Sequence, residues 1–402
     1  MYTSLMSRYE PMDLVETAYM GRVRITIFTH VFLNGRIDAA RLEDAVTQVG
    51  SIVPETLCRI DVSHMRYVPI PPSARTILQE VQGEVQTGPV WDPKTDTQVK
   101  ILVGHGKDAD SIIVGMSHVL SDGIGLEQYV YLLAAAYNGN LPKVRNFRSL
   151  DPILKGIHVG DPTDGEKTAA QIGDQPFSFP SSGNEPFCRC VTIPAPTMAL
   201  LHDKSREMGV HLNDVFVAAC VRVAARILQV PVVRLPCPVD YRRFGDVGPL
   251  SVANMSGLYL SSFPVGPGDS FSTTTQLVNR EIAELRARNR CFSTTVPFMS
   301  LAKVLPKSVL RWLSVKSYVK PAITYSNFGV IKPLSFGEAQ AVSAFMTGVY
   351  RPKPQCSLSV SSYQGATSFV STLLGDNAYA DACENVIRQI VQECESWLEE
   401  AS

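Results

Sequence analysis

Residues 111–137 constrain the possible fold more than any other stretch of this chain. They begin with an apolar, β-branched run, 112–116, which predicts a buried strand. They end with apolar residues at helical spacing, which predict an amphipathic helix carrying Leu126, Val130 and Leu133 on one face. The short loop between strand and helix is polar and glycine-rich, so it is the first place to look for chemistry.

The loop contains His118, Asp122, Gly123 and Gly125. An imidazole accepts a proton near neutral pH, whereas a buried carboxylate needs a cation beside it. The two glycines allow the tight backbone that begins the helix. A lone histidine after a strand is more often a core or turn residue than a catalyst, so the rest of the chain has to support a catalytic interpretation.

Composition excludes several classes of protein. With 402 residues, 45% hydrophobic and 19% charged, the chain can form one large core or two medium cores. A net charge of −1 argues against a nucleic-acid partner bound through its phosphates. We find no apolar run long enough to span a bilayer and no signal-peptide core in residues 1–13, so we expect a soluble, cytoplasmic protein.

The cysteines argue for a reducing environment. There are 9, an odd number, and they are scattered along the chain. Cys188 and Cys190 form a C-x-C pair without a second pair nearby, so buried thiols are favoured over a zinc site. We therefore expect no bound metal.

Periodicity and turn signals predict two lobes, 1–165 and 166–402, joined by the Pro-, Gly-, Asp- and Ser-rich stretch 141–186. The predicted elements of the first lobe are strands 22–34, 99–103 and 111–116, a hairpin over 58–70, and a helix over 37–53 capped by Asp38. Those of the second are strands 187–193, 233–239, 345–350 and 356–363, helices 196–208 and 381–400, a helix ending at 228 and capped by Asn213 or Asp214, and two helices within 270–318.

The string S-H-V-L-S-D-G, 117–123, resembles the H-x-x-x-D-G signature of the chloramphenicol acetyltransferase-like superfamily. This superfamily of CoA-dependent acyltransferases includes nonribosomal-peptide condensation domains, wax ester synthases and polyketide-associated acyltransferases. Weaker similarities follow in order along the chain, at 35–42, 209–220, 239–242, 253–257, 322–330 and 357–365. The resemblance implies an α/β fold with two lobes in a V around a central cleft.

The resemblance also implies roles for individual residues. His118 would be the general base, and Gly123 would support the loop. Arg242 would pair with Asp122, which then has a structural role, with Arg243 as the alternative partner. The side chains implied to line the cleft or stabilise an oxyanion are those of Asn254, Ser326, Asn327, Ser359 and Ser361.

The implied chemistry is acyl transfer from a thioester to a hydroxyl or amine, with no bound cofactor. The donor would be acyl-CoA or an acyl-phosphopantetheine carrier protein, and the acceptor a small molecule. Because the base has to be neutral, the ordinary pKa of histidine predicts an activity loss below about pH 6.

Departures from the family pattern favour some types of enzyme within the superfamily over others. Ser117 replaces the first of two tandem histidines found in condensation domains, which favours a free-standing acyltransferase. The D-F-G-W-G signature of plant relatives is absent, and no G-x-S-x-G elbow suggests a serine hydrolase. A condensation-type enzyme joining carrier-bound substrates and a catalytically degenerate binding module of the same fold stay open. Acyl chain, acceptor, carrier and oligomeric state are not determined.

Overall fold

The computed structural model describes residues 9–179, 183–316, 321–352 and 355–400. Within these ranges the α-helices are α1 (Pro11–Thr17), α2 (Ala39–Val49), α3 (Gly123–Tyr137), α4 (Asp151–Leu154), α5 (Asp164–Gln171), α6 (Ala195–Glu207), α7 (Leu212–Leu228), α8 (Phe271–Ala287), α9 (Thr295–Leu301), α10 (Lys307–Lys316) and α11 (Asn377–Glu399). The strands are β1 (Thr26–Leu33), β2 (Cys58–Asp61), β3 (Arg66–Pro69), β4 (Leu78–Gln82), β5 (Val99–His105), β6 (Asp110–Ser117), β7 (Glu185–Ile193), β8 (Val232–Asp240), β9 (Ser256–Pro264), β10 (Ile323–Val330), β11 (Ser335–Phe336), β12 (Ala339–Thr347), β13 (Arg351–Pro352), β14 (Cys356–Tyr363) and β15 (Ala366–Gly375).

The first sheet has six strands in the order β11-β12-β1-β6-β5-β4. The strands β5 and β6, both predicted from the sequence, pair in antiparallel orientation, with Val99 opposite Met116. The strand β6 also pairs with β1, where Thr26 lies opposite Ser117. Two strands of this sheet, β11 and β12, come from the C-terminal half of the chain, and the boundary between lobes at residue 165 stays a prediction.

Packing on both faces explains why β1 and β6 are apolar along almost their whole length. On one face, α2 and α3 contribute Leu42, Val46, Leu126 and Val130 to a core in which each is at most 1% exposed. On the other face, Phe28 packs in a smaller cluster with Ile113 and Tyr350. Burial of each such side chain stabilises the fold by about 1.5–3 kcal/mol, so the strand that leads to His118 is firmly held.

The second sheet contains β10, β14, β15 and β13 in that order, with β7 pairing to β15. The strands β10 and β14 are parallel, whereas β14 and β15 are antiparallel. The helices α7 and α11 pack on each other and, with the sheet, enclose the larger core, which includes Phe216, Phe369 and Ile387. The strands β8 and β9 form a separate antiparallel pair.

Of the two helix caps predicted from the sequence, that of α2 is confirmed and that of α7 is wrong. The Asp38 carboxylate accepts a hydrogen bond from the backbone N–H of Arg41 at 3.0 Å, as predicted for α2. The cap of α7 is different, because the helix begins at Leu212 and His211 is the N-cap residue. The Asp214 carboxylate accepts a hydrogen bond from the backbone N–H of His211 at 3.0 Å, so it closes the helix start without being the cap.

Several elements differ from the sequence predictions. The predicted linker contains α4 and α5, and α5 begins with a capping box between Thr163 and Glu166 that is visible in the sequence. The described part of the segment 270–318, residues 270–316, holds three α-helices rather than two, because α9 ends at Leu301 and a turn separates it from α10. The sequence predicts no strand at β4, β10, β11, β13 or β15, and its predicted strand 345–350 coincides only with the last three residues of β12.

The structure also shows the state of the cysteines and the length and polarity of the helices. All 9 cysteines are free, and only Cys188 and Cys190 are not buried. Among the described residues there is no group of three or more His, Cys, Asp or Glu placed to hold a metal ion. No single described helix is long and apolar enough to cross a membrane, although α6 and α7, bent by 100°, together have the required length and composition.

Candidate active site

His118 lies directly after β6 at the end of the first sheet. Its backbone N–H donates to the carbonyl of Ile25 at 2.9 Å, which ties it to the residue before β1. Its side chain is 23% exposed, whereas the Nδ1 atom is buried and has no hydrogen-bond partner in the described part of the chain. The Glu16 carboxylate lies 3.7 Å from Nδ1, which is an ion-pair distance rather than a hydrogen bond.

The carboxylate of Asp122 is buried and fully hydrogen-bonded. Arg242 binds it with both terminal nitrogens, each at 3.0 Å, and the two side chains are only 6% and 7% exposed. The backbone N–H groups of Gly125 and Met255 donate to the same carboxylate at 2.9 and 2.7 Å. Four donors therefore satisfy a group that would be costly to bury alone.

Arg242 reaches beyond Asp122 to two further kinds of acceptor. It donates to the Asp240 carboxylate at 2.9 Å and to the carbonyls of Ser251 and Ala253 at 2.8 and 2.9 Å. Burial opposes the charged form, but the carboxylates of Asp122 and Asp240 raise the pKa of Arg242 above its ordinary value. The partner implied by the resemblance is thus the one in contact, and among the described ion pairs none involves Arg243.

Asn254 holds the His118 loop by its backbone. Its side-chain N–H2 group donates to the carbonyls of His118 and Val119 at 2.9 and 2.8 Å. Through these two hydrogen bonds, the Asn254 side chain supports the backbone of the His118 loop. Its predicted part in lining a cleft stays a prediction.

The two glycines of the loop are needed for close approach. A Cβ atom on Gly123 would lie 2.0 Å from the ring of Phe328, and one on Gly125 would lie 2.0 Å from the Ser121 hydroxyl. Any larger residue would push against these neighbours. The contact with Phe328 also brings β10 of the second sheet against the loop of the first.

The predicted Ser-Asn pair lies on β10, next to that contact. Asn327 donates from its amide nitrogen to the Asn213 side chain at 3.0 Å, and its oxygen accepts from the backbone N–H of Gly329 at 2.9 Å. Ser326 is half-buried and lies opposite Ser359 in the parallel register of β10 and β14. Asn327 is therefore engaged with α7, and the predicted part of either residue in lining a cleft stays a prediction.

The row of serines predicted on β14 faces β12. The hydroxyl oxygen of Ser359 accepts from the backbone N–H of Gly348 at 2.8 Å, and that of Ser361 accepts from the N–H of Met346 at 3.0 Å. Both serines are 1% exposed. They join the two sheets, and their contribution to an oxyanion site stays a prediction.

Glu16 is not among the site residues predicted from the sequence, because no helix or strand is predicted before residue 22. The signal was present: Glu10 and Asp13 flank Pro11, and they form the capping box of α1. The helix α1 carries Glu16 one turn later and so presents its carboxylate to His118.

A buried polar cluster anchors α1 beside the loop. Arg148 donates to the Asp13 carboxylate at 2.5 Å and also lies 3.6 Å from Glu55. The Tyr67 hydroxyl contacts both Asp13, at 3.1 Å, and the carbonyl of Val119, at 3.3 Å. Burial raises the pKa of Asp13 to about 6, against the lowering effect of Arg148. Arg148 belongs to the stretch predicted as a linker, yet its side chain is only 8% exposed.

A cavity of about 240 Å³ opens beside the start of β1, lined among others by Arg24, Thr26, Trp91 and Tyr350. Thr26 lies opposite Ser117, so the cavity is close to the loop in the sheet, but His118 does not line it. The arrangement of two lobes in a V around a cleft stays a prediction.

Comparison with known proteins finds matches among solved structures only. The sequence matches no family profile and no curated protein. Among solved structures, the first condensation domain of the CDA synthetase superposes with a TM-score of 0.66 at 15% identity, covering 98% of this chain and 97% of that one. The TRI3 trichothecene 15-O-acetyltransferase from Fusarium sporotrichioides has a TM-score of 0.70 at 11% identity, with 97% and 95% coverage.

A third match is polyketide synthase associated protein 5 from Mycobacterium tuberculosis, with a TM-score of 0.66 at 15% identity and 100% coverage of both chains. Near-complete coverage at this similarity shows a shared fold across the whole chain. The protein therefore shares its mixed α/β fold with condensation domains, an acetyltransferase and a polyketide-associated protein, and the expected α/β fold class is confirmed.

Proposed function

We propose that the protein is an acyltransferase that moves an acyl group from a thioester to a hydroxyl or amine, with His118 as general base. One observation carries the proposal. The His118 loop is held by a buried bidentate pair between Asp122 and Arg242, which is the arrangement implied by the H-x-x-x-D-G signature. The fold shared with condensation domains and an acetyltransferase supports acyl transfer in general.

The proposed reaction has two steps. The Nε2 atom of His118 removes the proton of the acceptor hydroxyl or amine as its oxygen or nitrogen forms a bond to the thioester carbonyl carbon. The negative charge on the carbonyl oxygen is stabilised by donors, for which Ser326, Ser359 and Ser361 are candidates. The carbon–sulfur bond then breaks, and the leaving thiolate takes the proton from the imidazolium. No acyl-enzyme is formed.

Glu16 supports this use of His118. A carboxylate facing Nδ1 favours the tautomer that carries its proton there, so the lone pair of Nε2 is left for the acceptor. The same carboxylate stabilises the imidazolium formed during the reaction. Glu16 would therefore act as a positioning residue, and it would contribute only after α1 has been anchored through Asp13.

The donor is proposed to be acyl-CoA. The starter condensation domain of rhizomide synthetase, which has a TM-score of 0.66 to this chain at 14% identity, has been solved in complex with C8-CoA. A phosphopantetheine arm on a carrier protein ends in the same thioester, so it is the alternative donor. We keep the cytoplasm as the proposed location because all 9 cysteines are free.

The second candidate is a condensation-type enzyme acting on carrier-bound substrates. It is favoured by the condensation domains among the matched structures, such as that of the CDA synthetase. It uses the same base and differs in the form of its substrates. Activity with acyl carrier proteins but not with free acyl-CoA would favour this candidate.

Thiol release from a panel of acyl-CoAs, with and without added alcohols and amines, tests the proposal. The wild type is compared with His118→Ala and with His202→Ala, which changes an exposed histidine on α6. We expect acceptor-dependent release that is lost in His118→Ala, by about 100-fold or more, and kept in His202→Ala. Release that survives in His118→Ala would remove this histidine as the base.

A further inference from the structure

Charge is distributed unevenly along this chain. Acidic and basic residues are nearly equal overall, 38 against 37, yet residues 285–337 contain no Asp or Glu while Lys and Arg recur throughout. This stretch includes α9 and α10, which are consecutive short helices separated by Pro306. A local excess of positive charge in an otherwise balanced protein needs an explanation in terms of what it faces.

The two helices also expose large apolar side chains. Val304 is 76% exposed and Trp312 is 57% exposed, while Leu301 and Val309 are each 39% exposed. The opposite side of α10 is anchored, with Leu310 only 2% exposed. We define the basic–apolar surface as the exposed apolar and lysine side chains of α9, α10 and the turn between them: Leu301, Lys303, Val304, Lys307, Val309, Trp312 and Lys316.

The cations of this surface are not neutralised within the described parts of the chain. Lys303, Lys307 and Lys316 are exposed, and none of the ion pairs among the described residues involves them. The Lys316 ammonium lies 5.9 Å from the centre of the Trp312 ring, so aromatic and positive groups are interleaved. The surface therefore attracts an anionic partner and offers it apolar contacts.

The residue types of the basic–apolar surface favour a lipid bilayer over a folded protein as the anionic partner. Protein–protein interfaces are depleted in lysine and enriched in arginine, whereas the exposed cations here are lysines. Lysines whose stems lie along apolar residues, together with an outward tryptophan, are typical of helices that lie in the plane of a membrane interface. Anionic headgroups attract each such cation, and valine and leucine side chains enter the acyl boundary.

We propose that the basic–apolar surface docks this protein on an anionic lipid bilayer. The helix α10 packs against α1, which carries Glu16 beside His118. Docking there would therefore place the membrane one helix away from the candidate base. The proposal stands apart from the acyl-transfer chemistry, because vesicle binding can be measured without any substrate.

Binding of the full chain to vesicles tests the proposal. Phosphatidylcholine vesicles with and without phosphatidylserine are sedimented with the wild type, Lys303→Glu/Lys307→Glu and Trp312→Ser. The matched controls are Lys107→Glu/Lys143→Glu, which makes the same charge change elsewhere, and Leu200→Ser, which removes an exposed apolar side chain from α6. Circular dichroism and thermal melting confirm that each variant is folded.

We expect the wild type to bind the phosphatidylserine vesicles and to dissociate as salt is raised. Reversal of the two lysine charges is expected to weaken binding by about 25-fold or more, and the control pair should change it by less than about three-fold. Trp312→Ser should also weaken binding, whereas Leu200→Ser should not.

Three results would overturn the proposal. The first is no binding to anionic vesicles. The second is equal weakening by the surface and control charge reversals, which would show an effect of net charge alone. The third is a Trp312→Ser variant that loses binding to an acidic carrier protein, or loses self-association, while its binding to anionic vesicles is unchanged.

Discussion

Replacing Arg242 with methionine tests whether the Asp122–Arg242 pair holds the His118 loop. The change removes both bonds to Asp122, at 3.0 Å each, and leaves the carbonyls of Ser251 and Ala253 without this donor. The pair is almost completely buried, so water cannot readily replace the lost donors. Removing one partner of a buried pair costs about 3–5 kcal/mol. The upper end is not expected, because Asp122 keeps two backbone donors.

The assay is urea denaturation followed by circular dichroism, with Arg243→Met as the matched control. The free energy of unfolding should fall by about 3–4 kcal/mol for Arg242→Met and by less than about 0.5 kcal/mol for the control. Adding Asp122→Asn to Arg242→Met should cost much less than Asp122→Asn in the wild type, because the two side chains act as one unit. A loss below about 1 kcal/mol in Arg242→Met, or an equal loss in Arg243→Met, would refute the reasoning.

The remaining predictions concern the base, the loop and a buried histidine. Glu16→Gln should lower kcat about ten-fold with KM little changed, in steady-state assays with acyl-CoA, because its carboxylate acts on the imidazolium; an unchanged kcat would exclude a positioning role. Gly123→Ala should lower the free energy of unfolding by about 1–3 kcal/mol in urea melts, since the added Cβ meets the Phe328 ring, while Gly173→Ala, which has open space, should not. Burial lowers the pKa of His30 to about 3, so the unfolded chain binds a proton at higher pH than the folded one, and stability is lost as pH falls below about 6.5. The wild type should then lose about 1.4 kcal/mol per pH unit relative to His30→Phe in melts between pH 6 and 4, and parallel losses in both proteins would contradict this.

Local features of the chain were predictable because their causes act over a few residues. The strand 111–116, the turn at His118 and the helix that follows are read from periodicity and from the glycines that begin the helix. The cap of α2 by Asp38 is equally local. The capping box of α5, Thr163 with Glu166, shows that some local signals in the predicted linker went unused.

The candidate site needed more than local patterns. Asp122 and Arg242 are 120 residues apart, and only the resemblance to a family indicated that they meet. The approach of Glu16 to His118 depends on a helix whose anchor, Arg148, lies 135 residues from its partner Asp13. No spacing rule connects such positions.

The sequence by itself determined the strand 111–116, the helix that follows it and the cap of α2, because burial patterns and caps depend on neighbouring residues. Only the tertiary structure decided that β12 joins the first sheet and that β10 runs parallel to β14. Those pairings turn the Ser359 and Ser361 hydroxyls toward backbone N–H groups of the segment 346–348 and bring Phe328 against Gly123. The physical reason is that strand order and register come from the packing of the whole core, to which distant residues contribute together.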